Sequence, residues 1–173
     1  MFSGSGNGSW AQLGVADSTP EPQRLNQGGV QSVVFPTGQP SYLVAGTSGS
    51  GDDGVFYSSD SGATWTKAGG LTGGVFYMTG NASAMYAAGS TGFWKSTDSG
   101  KSWTLRSDGI PPGETAKRIA VSPLDSQQLI AATVGGVYRS DNGGTSWYDA
   151  SGSGAGLLNV SEVRAFQLSL IHI

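Results

Sequence analysis

The residues of this chain that could carry out catalysis are mainly carboxylates, because other catalytic side chains are scarce. The 173-residue sequence contains 12 Asp and Glu, 1 His and 0 Cys. Without cysteine, a thiolate zinc site and a cysteine nucleophile are excluded. The single histidine, His172, lies next to the C-terminal residue, so Ser-His-Asp chemistry and histidine-based metal sites are nearly excluded.

Paired carboxylates would suit the hydrolysis of a glycosidic bond, which needs two of them about 5 to 9.5 Å apart. Asp60 and Asp98 belong to the turn motif described below. The remaining acids follow no motif that selects a pair; they are Asp17, Glu21, Asp52, Asp53, Asp108, Glu114, Asp125, Asp141, Asp149 and Glu162. The catalytic residues are therefore unknown, and whether the chain is an enzyme stays open.

Two adjacent acids stand in a glycine-rich loop. Asp52 and Asp53 lie in the segment 46–54, and their oxygens could ligate calcium. The spaced Asp-x-Asp-x-Asp-Gly pattern of a calcium loop is missing, so an ordinary solvated loop is favoured. The sequence predicts neither a metal nor a cofactor.

Composition and charge limit the partners. The chain has 9 basic residues, a net charge of −3 and an isoelectric point near 4.9, whereas nucleic-acid binders are basic. No apolar run reaches the roughly 20 residues of a membrane helix, and residues 1–6 do not resemble a signal peptide. We expect no nucleic-acid partner and no membrane span. The remaining partners are a polysaccharide or a protein.

A twelve-residue motif occurs three times without a gap, at 54–65, 92–103 and 136–147. Each copy reads Gly, apolar, aromatic, any, Ser, any, Asp or Asn, any, Gly, any, Thr or Ser, Trp. We call these segments the tryptophan hairpins. Their shared turn positions, predicted to be structural, are Ser58, Asp60, Gly62, Thr64 and Trp65; Ser96, Asp98, Gly100, Ser102 and Trp103; and Ser140, Asn142, Gly144, Ser146 and Trp147.

The residue types predict a β-hairpin in each copy. A short apolar and aromatic strand precedes an Asp or Asn that can bond nearby backbone amides, and the glycine can adopt positive φ. Two further strand-like runs precede each hairpin. The repeating unit is therefore four short antiparallel strands, which is the size of a β-propeller blade. The predicted blades span approximately 30–69, 73–108 and 115–150 in an all-β chain.

The two ends of the chain fit the same pattern. Residues 8–13 are predicted to be the last strand of a preceding blade, and 159–166 the first strand of a following one. Because propellers close with about four to eight blades, we expect a truncated fragment that forms a single partial propeller over 1–167. Residues 168–173 continue no repeat position and resemble a translated sequencing adapter, so they are predicted to be a non-native tail.

The three hairpins resemble the Asp-box, or bacterial neuraminidase repeat, Ser-x-Asp-x-Gly-x-Thr-Trp. The first copy matches it fully; Ser102 replaces Thr in the second copy, and Asn142 and Ser146 replace Asp and Thr in the third. The resemblance implies a propeller similar to those of sialidases, family 74 xyloglucanases, sortilin-like receptors and a photosystem assembly factor. In these families the Asp-box is a structural turn, so the motif identifies a fold and does not identify a function.

Two functions remain. The first is a binding or interaction scaffold for a protein or polysaccharide, located outside the cytoplasm in the extracellular space or periplasm. The second is a fragment of a carbohydrate-active glycoside hydrolase, xyloglucanase-like or sialidase-like, with most catalytic acids elsewhere. The segment 117–120 lacks the aromatic residue and the proline of the sialidase motif. Phe56, Trp94 and Tyr138 share one repeat position and are predicted to be core residues, with a sugar-stacking surface as the alternative.

Overall fold

The computed structural model describes residues 2–4, 10–12, 29–49, 52–81 and 83–152. This part of the chain is all β and contains three four-stranded antiparallel sheets in simple sequential order. The strands are β1 (Phe2–Gly4), β2 (Trp10–Gln12), β3 (Gly29–Val34), β4 (Leu43–Ser48), β5 (Gly54–Ser58), β6 (Thr66–Lys67), β7 (Val75–Gly80), β8 (Met85–Gly89), β9 (Gly92–Ser96), β10 (Thr104–Leu105), β11 (Ala116–Val121), β12 (Leu129–Thr133), β13 (Val137–Ser140) and β14 (Tyr148–Asp149). The predicted all-β fold is confirmed.

The second strand of each sheet is its most buried element. β8 is buried along its whole length, and β4 over all but its last residue. Such strands are covered on both faces, so they read as continuous small and apolar runs rather than as an alternating pattern. The strand-like run at 42–45 predicts that this strand ends at Ala45, whereas β4 continues to Ser48. The Thr47 hydroxyl accepts a 3.1 Å hydrogen bond from the Gly54 amide across the loop, which extends the pairing.

The sheets pack face to face, and two apolar layers fill the spaces between them. Val44 of the first sheet packs with Val75, Met78 and Met85 of the second. Tyr86 and Phe93 of the second sheet belong to a cluster with residues of the third; the third-sheet members are Ala116, Ile119, Leu129, Ala131, Tyr138 and Trp147. Burial of these side chains is the main force that holds the sheets together.

The aromatic position shared by the three hairpins lies in apolar clusters. Trp94 and Tyr138 belong to the two layers between sheets, and Phe56 belongs to a third cluster formed by residues of the first sheet. Phe56, Trp94 and Tyr138 are only 3%, 8% and 8% exposed. The interpretation of this position as core is therefore confirmed, and the alternative of a sugar-stacking surface is wrong.

Backbone contacts join each sheet to the next hairpin, and we call these contacts the sheet junctions. The Trp103 amide donates to the Gly69 carbonyl at 3.0 Å, and the Trp147 amide donates to the Asp108 carbonyl at 2.8 Å. The glycine that follows each acceptor, Gly70 or Gly109, has a φ of +84° or +87°. A Cβ added there would lie 2.2 or 2.0 Å from the tryptophan carbonyl oxygen. Only glycine permits this approach.

The ends of the chain correspond only in part to the prediction. One strand was expected over 8–13, whereas β2 pairs with β1 in a two-stranded antiparallel sheet. Of residues 2–4, Phe2 is of a type enriched in strands and Gly4 of a type depleted in them, so the composition does not mark a strand here. The strand predicted over 159–166 and the predicted non-native tail lie outside the described residues.

Candidate functional site

The side chains of the first tryptophan hairpin form a closed hydrogen-bond network. The Ser58 hydroxyl donates to Asp60 Oδ1 at 2.7 Å and accepts from the Gly62 amide at 2.8 Å. Asp60 also accepts from the Thr64 amide at 2.9 Å and from the Thr64 hydroxyl at 2.6 Å. The Asp60 carboxylate therefore accepts hydrogen bonds from both ends of the turn, from Ser58 and from Thr64.

The other two hairpins repeat this network with different side chains. Asp98 accepts from the Ser96 hydroxyl at 2.7 Å and from the Ser102 amide at 2.9 Å. In the third hairpin, Asn142 accepts from the Ser146 amide at 2.9 Å, and its side-chain NH₂ donates to the Ser146 hydroxyl at 2.8 Å. The amide can replace the carboxylate because the serine hydroxyl reverses its role from donor to acceptor.

Each tryptophan covers its own turn. Trp65, Trp103 and Trp147 are 2%, 4% and 5% exposed. The indoles of Trp65 and Trp103 donate to the carbonyls of Gly62 and Gly100 in the same hairpin, at 3.1 and 2.9 Å. Trp147 instead donates to the Arg106 carbonyl at 2.7 Å. The polar contacts of each predicted set thus lie mainly within its own hairpin, and the structure does not bring the fifteen residues together in one place.

The residue before the turn glycine has positive φ, which the motif does not reveal. Ser61 and Ser99 have φ of 60° and 61°, and Gly143 at the equivalent position has φ of 66°. A residue with a Cβ loses about 1–2 kcal/mol in this region. Gly143 of the third copy is the one residue at this position whose type indicates positive φ.

Replacing Ser61 by glycine is expected to stabilise the protein by about 0.5 kcal/mol. The relief of about 1–2 kcal/mol of backbone strain exceeds the added flexibility of the unfolded chain, which costs about 0.4–1 kcal/mol. The urea unfolding midpoint measures this change. Ser59→Gly is the matched control, because Ser59 does not have positive φ; it should lose a few tenths of a kcal/mol. Equal effects of the two variants would contradict the explanation.

Hydrogen bonding keeps the hairpin aspartates ionised. Burial alone would raise the pKa of Asp60, but the hydrogen bonds from Thr64 and Ser58 outweigh it and lower that pKa below its ordinary value of 3.8. The pKa of Asp98 is lowered in the same way by Ser102 and Ser96, again against the effect of burial. In the unfolded chain both carboxyls regain ordinary pKa values.

The pH dependence of stability follows from these shifts. A carboxyl with a lowered folded-state pKa contributes stability above its unfolded pKa, and this contribution is lost as the pH falls through the folded pKa. We expect the unfolding free energy to fall below about pH 4, and to fall less steeply in an Asp60→Asn/Asp98→Asn variant. Asn142 shows that an amide fits this turn. Urea titrations at several pH values measure the slopes, and identical slopes would contradict the prediction.

A second group of residues lies along the first strands of the sheets. β3, β7 and β11 each end their sheet order, and β7 packs against both of the others. All three strands contain a register shift at the same repeat position, between Val30 and Ser32, Val75 and Tyr77, and Ala116 and Arg118. Such bulges redirect side chains and are common beside functional sites. We call the six residues at these bulges the first-strand row: Gln31, Ser32, Phe76, Tyr77, Lys117 and Arg118.

Cations and aromatic rings pair along this row. Lys117 Nζ lies 4.9 Å from the centre of the Phe76 ring, and Arg118 Cζ lies 5.0 Å from the centre of the Tyr77 ring. The Ser32 hydroxyl of β3 accepts a 3.0 Å hydrogen bond from the Met78 amide of β7, and this bond joins the two strands. Gln31 is exposed, whereas the other five residues are half-buried. The row therefore combines two positive charges, two rings, an amide and two hydroxyls, one of them on the Tyr77 ring.

A groove lies between the second sheet and the connection that leads from it to the third sheet. It has a volume of about 330 Å³ and is lined by Leu105, Ile110 and two carboxylates, Asp108 and Glu114. Glu114 Oε2 accepts a 2.9 Å hydrogen bond from the Gly135 amide. The groove thus places two of the ten unassigned acids on one surface.

The acids considered as calcium ligands have another contact. Asp52 forms an ion pair with Lys67. Within the described residues, no three His, Cys, Asp or Glu side chains form a group that could hold a metal ion. In the same residues no helix is long and apolar enough to cross a membrane.

The first-strand row was missed in the sequence. The sequence singles out Lys117 and Arg118 only as part of segment 117–120, which departs from the sialidase motif. A bulge has no fixed residue signature, and the pairs Gln-Ser, Phe-Tyr and Lys-Arg share no chemistry. The available signal was positional: two non-aliphatic residues follow a small apolar residue in each first strand.

Comparisons with known proteins show which solved structures have a similar fold. No model of a protein family and no curated protein matches the chain. Among solved structures it is similar to an ancestral GH74 enzyme, with 26% identity, a TM-score of 0.58, and coverage of 72% of this chain and 19% of that one. It is also similar to YCF48 from Cyanidioschyzon merolae, with 18% identity, a TM-score of 0.57 and coverage of 75% and 38%.

A third similar structure is the GH74 enzyme of Niastella koreensis, with 22% identity, a TM-score of 0.54 and coverage of 73% and 22%. The chain spans between about a fifth and two fifths of the length of these proteins. The three sheets are thus part of a β-propeller fold, which GH74 enzymes and YCF48 share.

Proposed function

We propose that this propeller is a binding scaffold whose ligand surface is the first-strand row. One observation carries the proposal: the bulge is constant in the three repeats while its residues differ completely. In the hairpins, by contrast, the turn residues hardly vary. Variable side chains on a constant backbone are typical of a recognition surface on a rigid scaffold. The ligand is a polysaccharide or a protein.

We also propose a structural role for the fifteen hairpin residues as Asp-box turns, within blades over approximately 30–69, 73–108 and 115–150. The closed hydrogen-bond networks and the buried tryptophans support this role.

An extracellular or periplasmic location is part of the proposal, supported by the absence of cysteine and by abundant glycine and serine. Cell fractionation tests that location.

The experiment for the binding function is affinity electrophoresis of the 173-residue chain in gels that contain xyloglucan, polygalacturonate or an acidic peptide polymer. We expect at least one of them to retard the chain, without release of reducing ends. A Gln31→Ala/Phe76→Ala variant should bind roughly tenfold more weakly, as for the loss of a small hot spot. Leu124→Ala is the control, because Leu124 is 78% exposed and lies outside the row. Absence of retardation in all gels would overturn the function.

A glycoside hydrolase is the second candidate. The 26% identity with an ancestral GH74 enzyme and the groove that contains Asp108 and Glu114 favour it. In that case xyloglucan would release reducing ends, and Asp108→Asn or Glu114→Gln would abolish the release. Retention of activity in both variants would exclude this groove as the catalytic site.

A further inference from the structure

We propose that the first-strand row recognises an acidic polysaccharide, a chain whose sugars carry uronate carboxylates. The inference rests on the proposed binding function and goes further, because it names the ligand chemistry. It is carried by the stacked cations of β11, by the orientation that the rings give them, and by the polar groups of β3.

Two of the nine basic residues of an acidic chain stand next to each other at this edge. The ion pairs among the described residues lie elsewhere and join Lys67 to Asp52 and Arg139 to Asp141. Stacking on Phe76 and Tyr77 positions the two cations without neutralising them, because an aromatic ring carries no net charge. The row therefore presents a local positive field on a molecule whose net charge is negative.

The stacking also presents the guanidinium for bidentate binding. The Arg118 group lies over the Tyr77 ring, and an arginine in this arrangement keeps the donors in its plane available. One of these, on Nη1, donates to the Lys117 carbonyl at 2.9 Å, which fixes the group further. A fixed guanidinium fork matches the two oxygens of a carboxylate. The Lys117 ammonium beside it provides a second charge for a neighbouring uronate.

The rest of the row favours a sugar chain over an acidic peptide. The exposed Gln31 side-chain amide offers both donors and an acceptor. The Ser32 hydroxyl accepts a hydrogen bond from the Met78 amide, so its own O–H is available to donate to a ligand. Sugars present many hydroxyls that such groups can bind, whereas the side chains of an acidic peptide present carboxylates alone. Half-buried rings with a few convergent polar groups are also usual in ligand sites.

The test is isothermal titration calorimetry of the 173-residue chain with oligogalacturonate. The comparison probes are a neutral xyloglucan oligosaccharide and polyglutamate. We expect oligogalacturonate to bind most tightly, and its affinity to fall as salt increases, since the contacts are ionic. Arg118→Gln and Lys117→Gln should each weaken binding roughly tenfold, as for the loss of a charge-assisted hydrogen bond. Arg139→Gln is the matched control and should change the affinity by less than about twofold. Arg139 lies outside the row, on the third strand of the third sheet, and already pairs with Asp141.

Arg118→Lys separates charge from geometry. It keeps the positive charge but loses the fork, so it should bind with intermediate affinity and a retained salt dependence. Because lysine keeps the positive charge and the long aliphatic stem, this variant also keeps the test valid if the glutamine variant fails to fold, which circular dichroism would show.

The outcomes separate the two proposals. Equal binding of the neutral oligosaccharide, or unchanged affinity in Arg118→Gln, would overturn the acidic-polysaccharide inference and leave the binding scaffold standing. Preferential binding of polyglutamate would show that the row recognises a protein segment, and would also overturn the inference. Absence of binding to every probe would remove both proposals.

Discussion

Replacing Gly109 by alanine is expected to destabilise the protein by about 2–5 kcal/mol. Positive φ costs an alanine about 1–2 kcal/mol, and overpacking adds about 1–3 kcal/mol. The added Cβ would lie 2.0 Å from the Trp147 carbonyl oxygen, a backbone atom that cannot rotate away. Any shift of this backbone would also lengthen the hydrogen bond from the Trp147 amide to the Asp108 carbonyl.

Gly152 provides the matched control for this substitution. It occupies the equivalent place after the last strand of the third sheet and has a φ of +88°, but a Cβ there would meet no atom of the described residues within 4 Å. Gly152→Ala should therefore lose only the backbone cost of about 1–2 kcal/mol. Urea unfolding of both variants measures the difference, which isolates the contact between sheets. Equal losses would show that the sheet junction contributes nothing.

Replacing Trp103 by alanine should cost about 3–5 kcal/mol, the usual range for a buried aromatic residue. The side chain is 4% exposed and belongs to the apolar layer between the first and second sheets. Since small domains are stable by only about 5–15 kcal/mol, much of the margin would be lost. Chemical denaturation monitored by circular dichroism measures the effect.

Graded substitutions identify what the indole contributes. Trp103→Phe keeps a ring but removes the donor to the Gly100 carbonyl, so it should lose about 1–3 kcal/mol. Leu105→Ala is the control, because Leu105 is 48% exposed on the outer strand of the same sheet, and it should change stability by less than about 1 kcal/mol. A loss below 1 kcal/mol for Trp103→Ala would show that the tryptophan does not hold the hairpin.

The fold was readable from the sequence because each hairpin repeats its own turn chemistry. Ser58, Asp60 and Gly62 make local hydrogen bonds, and local bonds leave a fixed residue spacing. The hairpins in turn set the position of the two strands before them. Strand ends were less accurate, as at β4, because the bond between Thr47 and Gly54 depends on how the loop closes.

The candidate site could not be read in the same way. The first-strand row joins residues of different sheets, and its bulges are defined by pairing between strands rather than by residue type. The roles of Gly70 and Gly109 were equally hidden, because each glycine accommodates a carbonyl more than 30 positions later in the chain. A contact between two repeats does not produce a fixed spacing of residue types within one repeat, so the sequence pattern does not reveal it.

The sheet junction has a direction. Each junction takes a glycine from the end of one sheet and a tryptophan from the hairpin of the next, so an interface needs one part from each neighbour and never two of the same kind. A duplicated unit inserted between two others would carry both parts and would fit without any new interface. Such a chain can change its number of modules by duplication while the six residues at its first-strand bulges change independently, because those residues take no part in the junctions.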